Sequence, residues 1–144
     1  MPVIVIGADT HLGRQIVAAL VEPDREVRAF VTDIAAAEEL RAAGVKVALG
    51  DVSDSSHVTG ACTRCFSAVF VAEAASDHRE RSFAATPESV IDGWVEAVRD
   101  AGVRRVIWVG EEFRSVPGAE CAAVSLSDAD IPSRVVALDD AASL

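Results

Sequence analysis

Short apolar runs alternate along this chain with stretches in which apolar residues recur every three or four positions. Val3 to Ile6 is the first run and ends at Gly7, and Leu12, Ile16, Val17, Ala19 and Leu20 then follow at helical spacing. Val27 to Val31 predicts a second strand, and Ile34 to Ala43 a short helix stopped by Gly44. Val45 to Leu49 is a third strand closed by the turn pair Gly50-Asp51. After it, Asp54 or Ser55 caps a helix running to about Thr63. Ala68 to Ala72 predicts a fourth strand. The stretch from Glu73 to Ala85, with Ser76-Asp77-His78-Arg79-Glu80-Arg81-Ser82 inside it, has no apolar period and reads as a surface loop.

Thr86-Pro87-Glu88 is a helix start: Thr caps, Pro suits the first helical position, and Glu complements the positive end of the helix dipole. The stripe Ile91, Trp94, Val95, Val98 follows and Gly102 ends the helix. Val103 to Val109 is a fifth strand with Arg104-Arg105 at its entrance. Gly118 to Leu126 is expected to be a further helix and Ser133 to Leu138 a sixth, shorter strand. Nearly continuous apolar strands separated by helices predict a parallel sheet covered on both faces, because crossover connections put the helices there. The expected fold is therefore α/β, a doubly wound sheet of three layers with strand order 3-2-1-4-5-6. Its core is expected to hold Val3, Val5, Ile16, Leu20, Val47, Val69, Val71, Val95, Val106 and Trp108. With 144 residues and no repeat or linker, residues 1–144 are expected to form a single domain.

Composition narrows the function classes. Half the residues are apolar, 51%, which argues for a packed core rather than disorder. The net charge is −10, and the 13 basic residues, all arginine except Lys46, are scattered, so no surface is prepared for a phosphate backbone and no nucleic-acid partner is expected. No apolar run approaches the roughly 20 residues of a membrane span, and no basic leader precedes the first strand, so no membrane contact and a cytoplasmic location are expected. Alanine richness with arginine in place of lysine suggests a GC-rich bacterial genome. Three cysteines, an odd number, do not make a disulfide scaffold.

Gly7-Ala8-Asp9-Thr10-His11-Leu12-Gly13 follows a strand and opens a helix, the context a dinucleotide fingerprint requires. Further signposts are Arg14 after the last glycine, Val27-Arg28-Ala29-Phe30-Val31 as second strand, Gly44-Val45 before the third, Gly50-Asp51 with Asp54, and Ala101-Gly102-Val103-Arg104-Arg105-Val106 into the fifth. On these residues, about three quarters of its length, the chain resembles the NmrA-like family and its atypical short-chain dehydrogenase relatives. The resemblance implies a Rossmann-type fold with an NAD(P) site at the first loop. The candidate cofactor-binding residues are Gly7, Asp9, Thr10, His11, Leu12, Gly13, Thr32, Asp33, Asp51, Val52, Ala72 and Glu73.

Three departures from the family pattern bear on that site. Thr10 occupies the middle glycine position of G-x-x-G-x-x-G, where a Cβ narrows the approach of the backbone to a pyrophosphate. Asp9 places a carboxylate beside a helix N-terminus and is expected to compete for its donors. Where the family often carries arginine to meet a 2′-phosphate, Thr32 and Asp33 stand instead, so NAD is favoured over NADP. The loop reads either as a working nucleotide site or as a remnant joining strand to helix.

The acid–base pair of short-chain dehydrogenases, Tyr-x-x-x-Lys, is missing: the sequence has no tyrosine, and Lys46 begins the third strand. Val109-Gly110-Glu111-Glu112 stands where relatives have serines, so no catalytic residue is nominated. Only about 30 residues follow Gly110, too few for the C-terminal substrate lobe of larger relatives. The leading expectation is a non-catalytic or regulatory nucleotide-sensing module. The alternatives are an NAD(P)-dependent oxidoreductase acting with a partner subunit, and a cofactor-free interaction domain.

Cys62-Thr-Arg-Cys65 has redox spacing but falls at a helix C-terminus, where the dipole does not favour a thiolate, and reads as packing, with Cys65 partly exposed. Cys121 with His57 is no recognised zinc spacing, so no metal is expected. Glu73, Glu111 and Glu112 are expected at the carboxyl edge of the sheet, and His11 and His78 in loops. The Trp94 stripe reads as a core or dimer face. Relatives pair helices of this region, so the resemblance implies a homodimer through Ile91, Trp94 and Val98.

Overall fold

A computed structural model describes residues 1–76 and 83–144. The polar-loop reading of Ser76 to Ser82, and with it His78, falls on residues 77–82, which lie outside the described residues. The elements in chain order are β1 (Val3–Ile6), α1 (His11–Leu20), β2 (Val27–Val31), α2 (Ile34–Ala42), β3 (Lys46–Leu49), α3 (Ser55–Cys62), β4 (Ser67–Val71), a 3-10 turn at Ala72–Ser76, α4 (Pro87–Ala101), β5 (Arg105–Val109), β6 (Glu120–Val124) and α5 (Ile131–Asp140). The six strands form one sheet in the order β3-β2-β1-β4-β5-β6 with every neighbouring pair parallel, the topology expected from the sequence.

The strands read as unbroken apolar runs because both faces of the sheet are covered. Their period of two sorts alternate side chains onto two cores. Ile4, Ile6, Phe30, Phe70, Val106 and Trp108 join residues of α3 and α4 on one face. Val3, Val5, Val69, Val71, Ile107 and Val109 join Ile16, Val17 and Leu20 of α1, Ala37 of α2 and Val135 of α5 on the other. Of the expected core, Val47 and Val95 are only partly buried, on the edge strand and on the flank of α4.

The ends of α4 follow the local chemistry: Thr86 accepts from the Ser89 amide, Pro87 opens the first turn, and Gly102 closes the helix at a left-handed φ of 74°. Ile91, Trp94 and Val98 are no more than 1% exposed, so the stripe expected as a dimer face is spent in the chain's own core. Trp94 stacks beside Phe70 at 5.1 Å and donates its indole N–H to the Val52 carbonyl at 2.8 Å, tying α4 to the loop after β3.

The last third corrects the sequence reading. Residues expected as a helix, Gly118 to Leu126, contain strand β6, and the expected strand Ser133 to Leu138 lies inside α5. A five-residue run such as Glu120-Cys-Ala-Ala-Val has no periodicity that separates strand from helix, and its pairing partner β5 decides. In α5, Ile131, Val135 and Leu138 form a helical stripe, Asp130 caps by accepting from the Ser133 amide, and Pro132 sits in the first turn.

The carboxyl end of α5 is fastened by two arginines. Arg105 at the start of β5, 1% exposed, donates to Glu120 Oε2 from Nε and Nη2 at 3.0 and 2.8 Å. Its Nη1 reaches the carbonyls of Leu138, Asp139 and Ala141 at 2.9, 3.0 and 2.7 Å. Arg25, ahead of β2, pairs with Asp139 at 3.0 Å and with Asp140.

Candidate functional site

Parallel strands deliver all their carboxyl ends to one edge, and a doubly wound sheet opens a crevice there where the strand order reverses, between β1 and β4. The β1–α1 loop lies at that point. Gly7 adopts φ 87°, a left-handed conformation that suits glycine, and a Cβ there would meet the Ala74 Cβ at 2.7 Å. A Cβ on Gly13 would meet the Gly7 carbonyl oxygen at 2.0 Å, so only glycine lets α1 start so close to the strand end. The two outer glycines of the fingerprint therefore keep their packing purpose.

Thr10, at the middle glycine position, is the N-cap of α1. Its hydroxyl donates to the Gly7 carbonyl at 2.7 Å and accepts from the Gly13 amide at 3.0 Å. The threonine thus takes for itself one donor of the helix N-terminus. The amides of His11 and Leu12, in the first turn, have no partner inside a helix by construction. Anion binding at this terminus is reduced in donor number while the helix dipole is retained.

Asp9 does not compete for those donors, which corrects the expectation from sequence. It is 8% exposed and reaches across to the end of β2, where its Oδ2 accepts from the amides of Thr32 and Asp33 at 2.9 and 3.1 Å. Asp33 caps α2, its Oδ1 accepting from the Ala35 amide at 3.2 Å. Asp51, after β3, is buried and accepts from both the amide and the hydroxyl of Ser53, at 2.8 and 2.6 Å. Val52 beside it carries the carbonyl that Trp94 holds.

Beyond β4 and β5 a cavity of about 390 Å³ opens against α1. Leu12, Val71, Val109 and Leu126 give it apolar walls, and His11, Glu73, Ser76, Glu111 and Glu112 its polar lining. Ala72 lines it too. Gly110, at φ 130°, brings the chain after β5 so close that a Cβ would stand 2.9 Å from that of Ala72. Among the described residues no tyrosine, lysine or arginine lines this cavity. Of the nominated residues, His11, Leu12, Ala72 and Glu73 meet here, Gly7 and Gly13 shape the loop behind, and Thr32, Asp33, Asp51 and Val52 lie along the neighbouring strand ends.

The cysteine pair takes no part. Cys62 and Cys65 are both buried on the α3 side, so the partial exposure expected for Cys65 is not found. Burial pushes the Cys62 thiol up to about 12, with Cys65 adding to the effect, and burial raises Cys65 as well. Among the described residues no group of three or more His, Cys, Asp or Glu is placed to hold a metal ion. No helix among them is long and apolar enough to cross a membrane.

A parallel doubly wound sheet with a glycine-anchored loop and a crevice at its switch point defines a Rossmann-type domain. The model of the NAD(P)H-binding family matches residues 7–118. The chain belongs to that family, in keeping with the NmrA-like and atypical short-chain dehydrogenase resemblance of its motifs.

No significant match to a curated protein was found. Solved structures of the same fold include the triphenylmethane reductase of Citrobacter sp. complexed with NADP(H), 24% identical over 78% of this chain and 38% of that one, TM-score 0.64. An NADPH-dependent quinone oxidoreductase of Escherichia coli complexed with NADPH is 21% identical over 75% and 36%, TM-score 0.61. An anaerobillin reductase of Escherichia coli is 24% identical over 76% and 50%, TM-score 0.59. The chain therefore spans half or less of the length of these proteins, and the likeness is one of fold.

Proposed function

We propose that the chain is a nicotinamide-dinucleotide-binding module that works without the acid–base chemistry of short-chain dehydrogenases, in a sensing or regulatory capacity, and that it favours NAD over NADP. Residues 1–144 act as one domain in this reading, in a bacterial cytoplasm. The observation that carries it is the cavity at the ends of β4 and β5. It opens beside the fingerprint loop, and among the described residues its lining holds neither a tyrosine nor a lysine. Gly7, Thr10, His11, Leu12 and Gly13 face the pyrophosphate. Asp9, Thr32 and Asp33 face the adenosine ribose, Asp51 and Val52 the adenine, and Ala72 and Glu73 the nicotinamide. A bound nicotinamide supplies hydride chemistry. The described residues around it supply position and charge without the Tyr-x-x-x-Lys pair that short-chain dehydrogenases use for proton transfer.

Calorimetric titration with NAD, NADH, NADP and NADPH tests the reading. Binding in the micromolar range supports it, and no binding of any of the four leaves a cofactor-free interaction domain. A second reading, an oxidoreductase whose substrate wall comes from a partner subunit, is favoured by the apolar lining residue Leu126, which is left 56% exposed at the cavity. Turnover of NAD(P)H with a quinone or dye acceptor separates it from the first. A homodimer built on surfaces other than the Trp94 stripe is part of the same proposal, and light scattering at micromolar concentration is its test.

A further inference from the structure

The loops at the carboxyl ends of β5 and β6 leave large apolar side chains in solvent beside carboxylates. After β5, Glu111 and Glu112 are exposed and Phe113 follows them half exposed; after β6, Leu126 stands half exposed at the cavity that those glutamates line. Arg114, the one cation of the first loop, is already held by Asp92 of α4. The amino ends of β4, β5 and β6 have the opposite make-up. There Phe66, Ala119 and Ala142 line a groove of about 690 Å³, a size that takes side chains of another molecule. Arg104 lines it too and is exposed, and Arg64 is exposed two residues before Phe66; neither side chain has a partner among the described residues. Glu120, the acid in the same lining, is held by Arg105. On a chain of net charge −10, this groove is an apolar surface edged by uncompensated positive charge.

We propose that the two ends fit each other: loop 111–113 and Leu126 of one copy dock in the amino-end groove of a second copy, which thereby walls the open cavity. The inference rests on the homo-oligomer part of the reading above and names its two surfaces. Phe113 packs against Phe66 and the two alanines, with Glu111 and Glu112 facing Arg104 and Arg64. The buried aromatic ring supplies affinity. Opposite charges around it orient the encounter, and they reject the pairing of rim with rim, which sets glutamates against glutamates. A foreign basic partner satisfies the rim alone, whereas a second copy satisfies rim and groove together. The two surfaces lie at opposite ends of the strands, so the contact is heterologous: a docked pair keeps one free rim and one free groove, and association extends beyond a dimer. The carboxyl ends of β1, β2 and β3 stay open to a nucleotide.

Sedimentation velocity on the whole chain from about 1 to about 200 µM is the test, with Arg104→Glu to block the groove and Phe113→Asp to block the rim. The parent is expected to sediment as a monomer at the low end, to form dimers and larger species as concentration rises, and to dissociate as salt is raised. Each variant alone is expected to associate at least about tenfold more weakly. An equal mixture of the two restores a dimer and nothing larger, because the intact rim of Arg104→Glu meets the intact groove of Phe113→Asp and both remaining ends are blocked. Arg104→Ala and Phe113→Ala repeat the pair if a charged variant does not fold. A parent that is monomeric throughout overturns the inference and the homo-oligomer reading together. A parent dimer that neither variant weakens, or a mixture that stays monomeric, overturns the inference alone and leaves a two-fold dimer on other surfaces. Titration with NAD decides the nucleotide reading separately in every case.

Discussion

Arg105 is the residue whose replacement tests most directly how the end of the chain is held. Its guanidinium is 1% exposed and makes five contacts within 3.0 Å: two to Glu120 and three to carbonyls at the end of α5. The arginine carries a second burden, since it lies over the Phe66 ring with its central carbon 5.1 Å from the centroid. Arg105→Met keeps the stem against that ring and deletes the donors. Breaking a buried pair by removing one partner costs about 3–5 kcal/mol, and hydrogen bonds to charged groups contribute about 1.5–3 kcal/mol each but do not add. Two effects pull the other way. Glu120 keeps 38% of its side-chain surface and rehydrates, and the methionine escapes the desolvation that the guanidinium suffers.

The net expectation is a loss of about 3 kcal/mol, or about 10 °C in Tm for a chain of this size. Guanidinium unfolding followed by tryptophan fluorescence and circular dichroism measures it. Trp94 and Trp108 report from the core, and hydrogen exchange locates the loss, which is expected to fall first on Ile131–Asp140. Arg105→Lys retains charge without the fork that reaches carboxylate and carbonyls together, and falls between parent and Arg105→Met. A midpoint for Arg105→Met equivalent to a loss below about 1 kcal/mol, with α5 protection unchanged, would show that packing of Val135 and its neighbours holds the helix and that the arginine is incidental.

Three further outcomes are expected. Thr10→Ala removes the cap of α1 and costs about 1 kcal/mol, whereas Thr10→Gly costs only a few tenths and releases the Gly13 amide, so NAD affinity rises by a factor of a few; equal affinity in parent and Thr10→Gly refutes the reading of Thr10 as a competitor. Native protein reacts with a thiol reagent at Cys121 alone and at all three cysteines when unfolded, because Cys62 and Cys65 are buried with raised pKa values; stoichiometric labelling of either in the native state is the contrary result. Hydrogen bonds from Arg105, from Lys46 and from the Ser56 hydroxyl hold Glu120, Glu26 and Asp54 below their ordinary values of 4.5, 4.5 and 3.8. A depressed carboxylate lends stability that is complete above its unfolded value and is lost as pH falls through the folded one, so unfolding midpoints hold above about pH 5 and decline below it. Glu120→Gln flattens that acid limb, and an unchanged limb excludes the ion pair as its cause.

The fold was legible where residues carry period and punctuation together. Thr86-Pro87 and Gly102 bracket α4, and each of the first five strands is a run that one covered sheet explains on both faces. Legibility fails after Gly110, where β6 is five residues of middling hydropathy whose identity depends on a partner strand distant in sequence. Arg105 shows the same limit. Beside Arg104 it reads as a polar interruption at a strand entrance, yet Arg104 is exposed and Arg105 is among the most buried side chains. Only the arrival of Glu120 and the α5 carbonyls, 15 to 36 positions further on, makes burial of that charge tolerable.

The site divides along the same line. Gly7 and Gly13 could be read from spacing because their constraint is local: a left-handed turn and a helix start pressed on a carbonyl leave no room for a Cβ. Asp9 could not. A carboxylate beside a helix N-terminus has a near set of donors in sequence, the first amides of α1, and a far set in space, the amides at the end of β2. Thr10 settles the contest, since its hydroxyl takes the Gly13 amide and turns back onto Gly7, leaving the longer reach to Asp9. The replacement of the middle glycine and the carboxylate before it therefore act as a pair. The first takes the Gly13 amide at the start of α1 and the second holds the Thr32 and Asp33 amides at the end of β2, so adjacent residues of one loop tie it to two different elements.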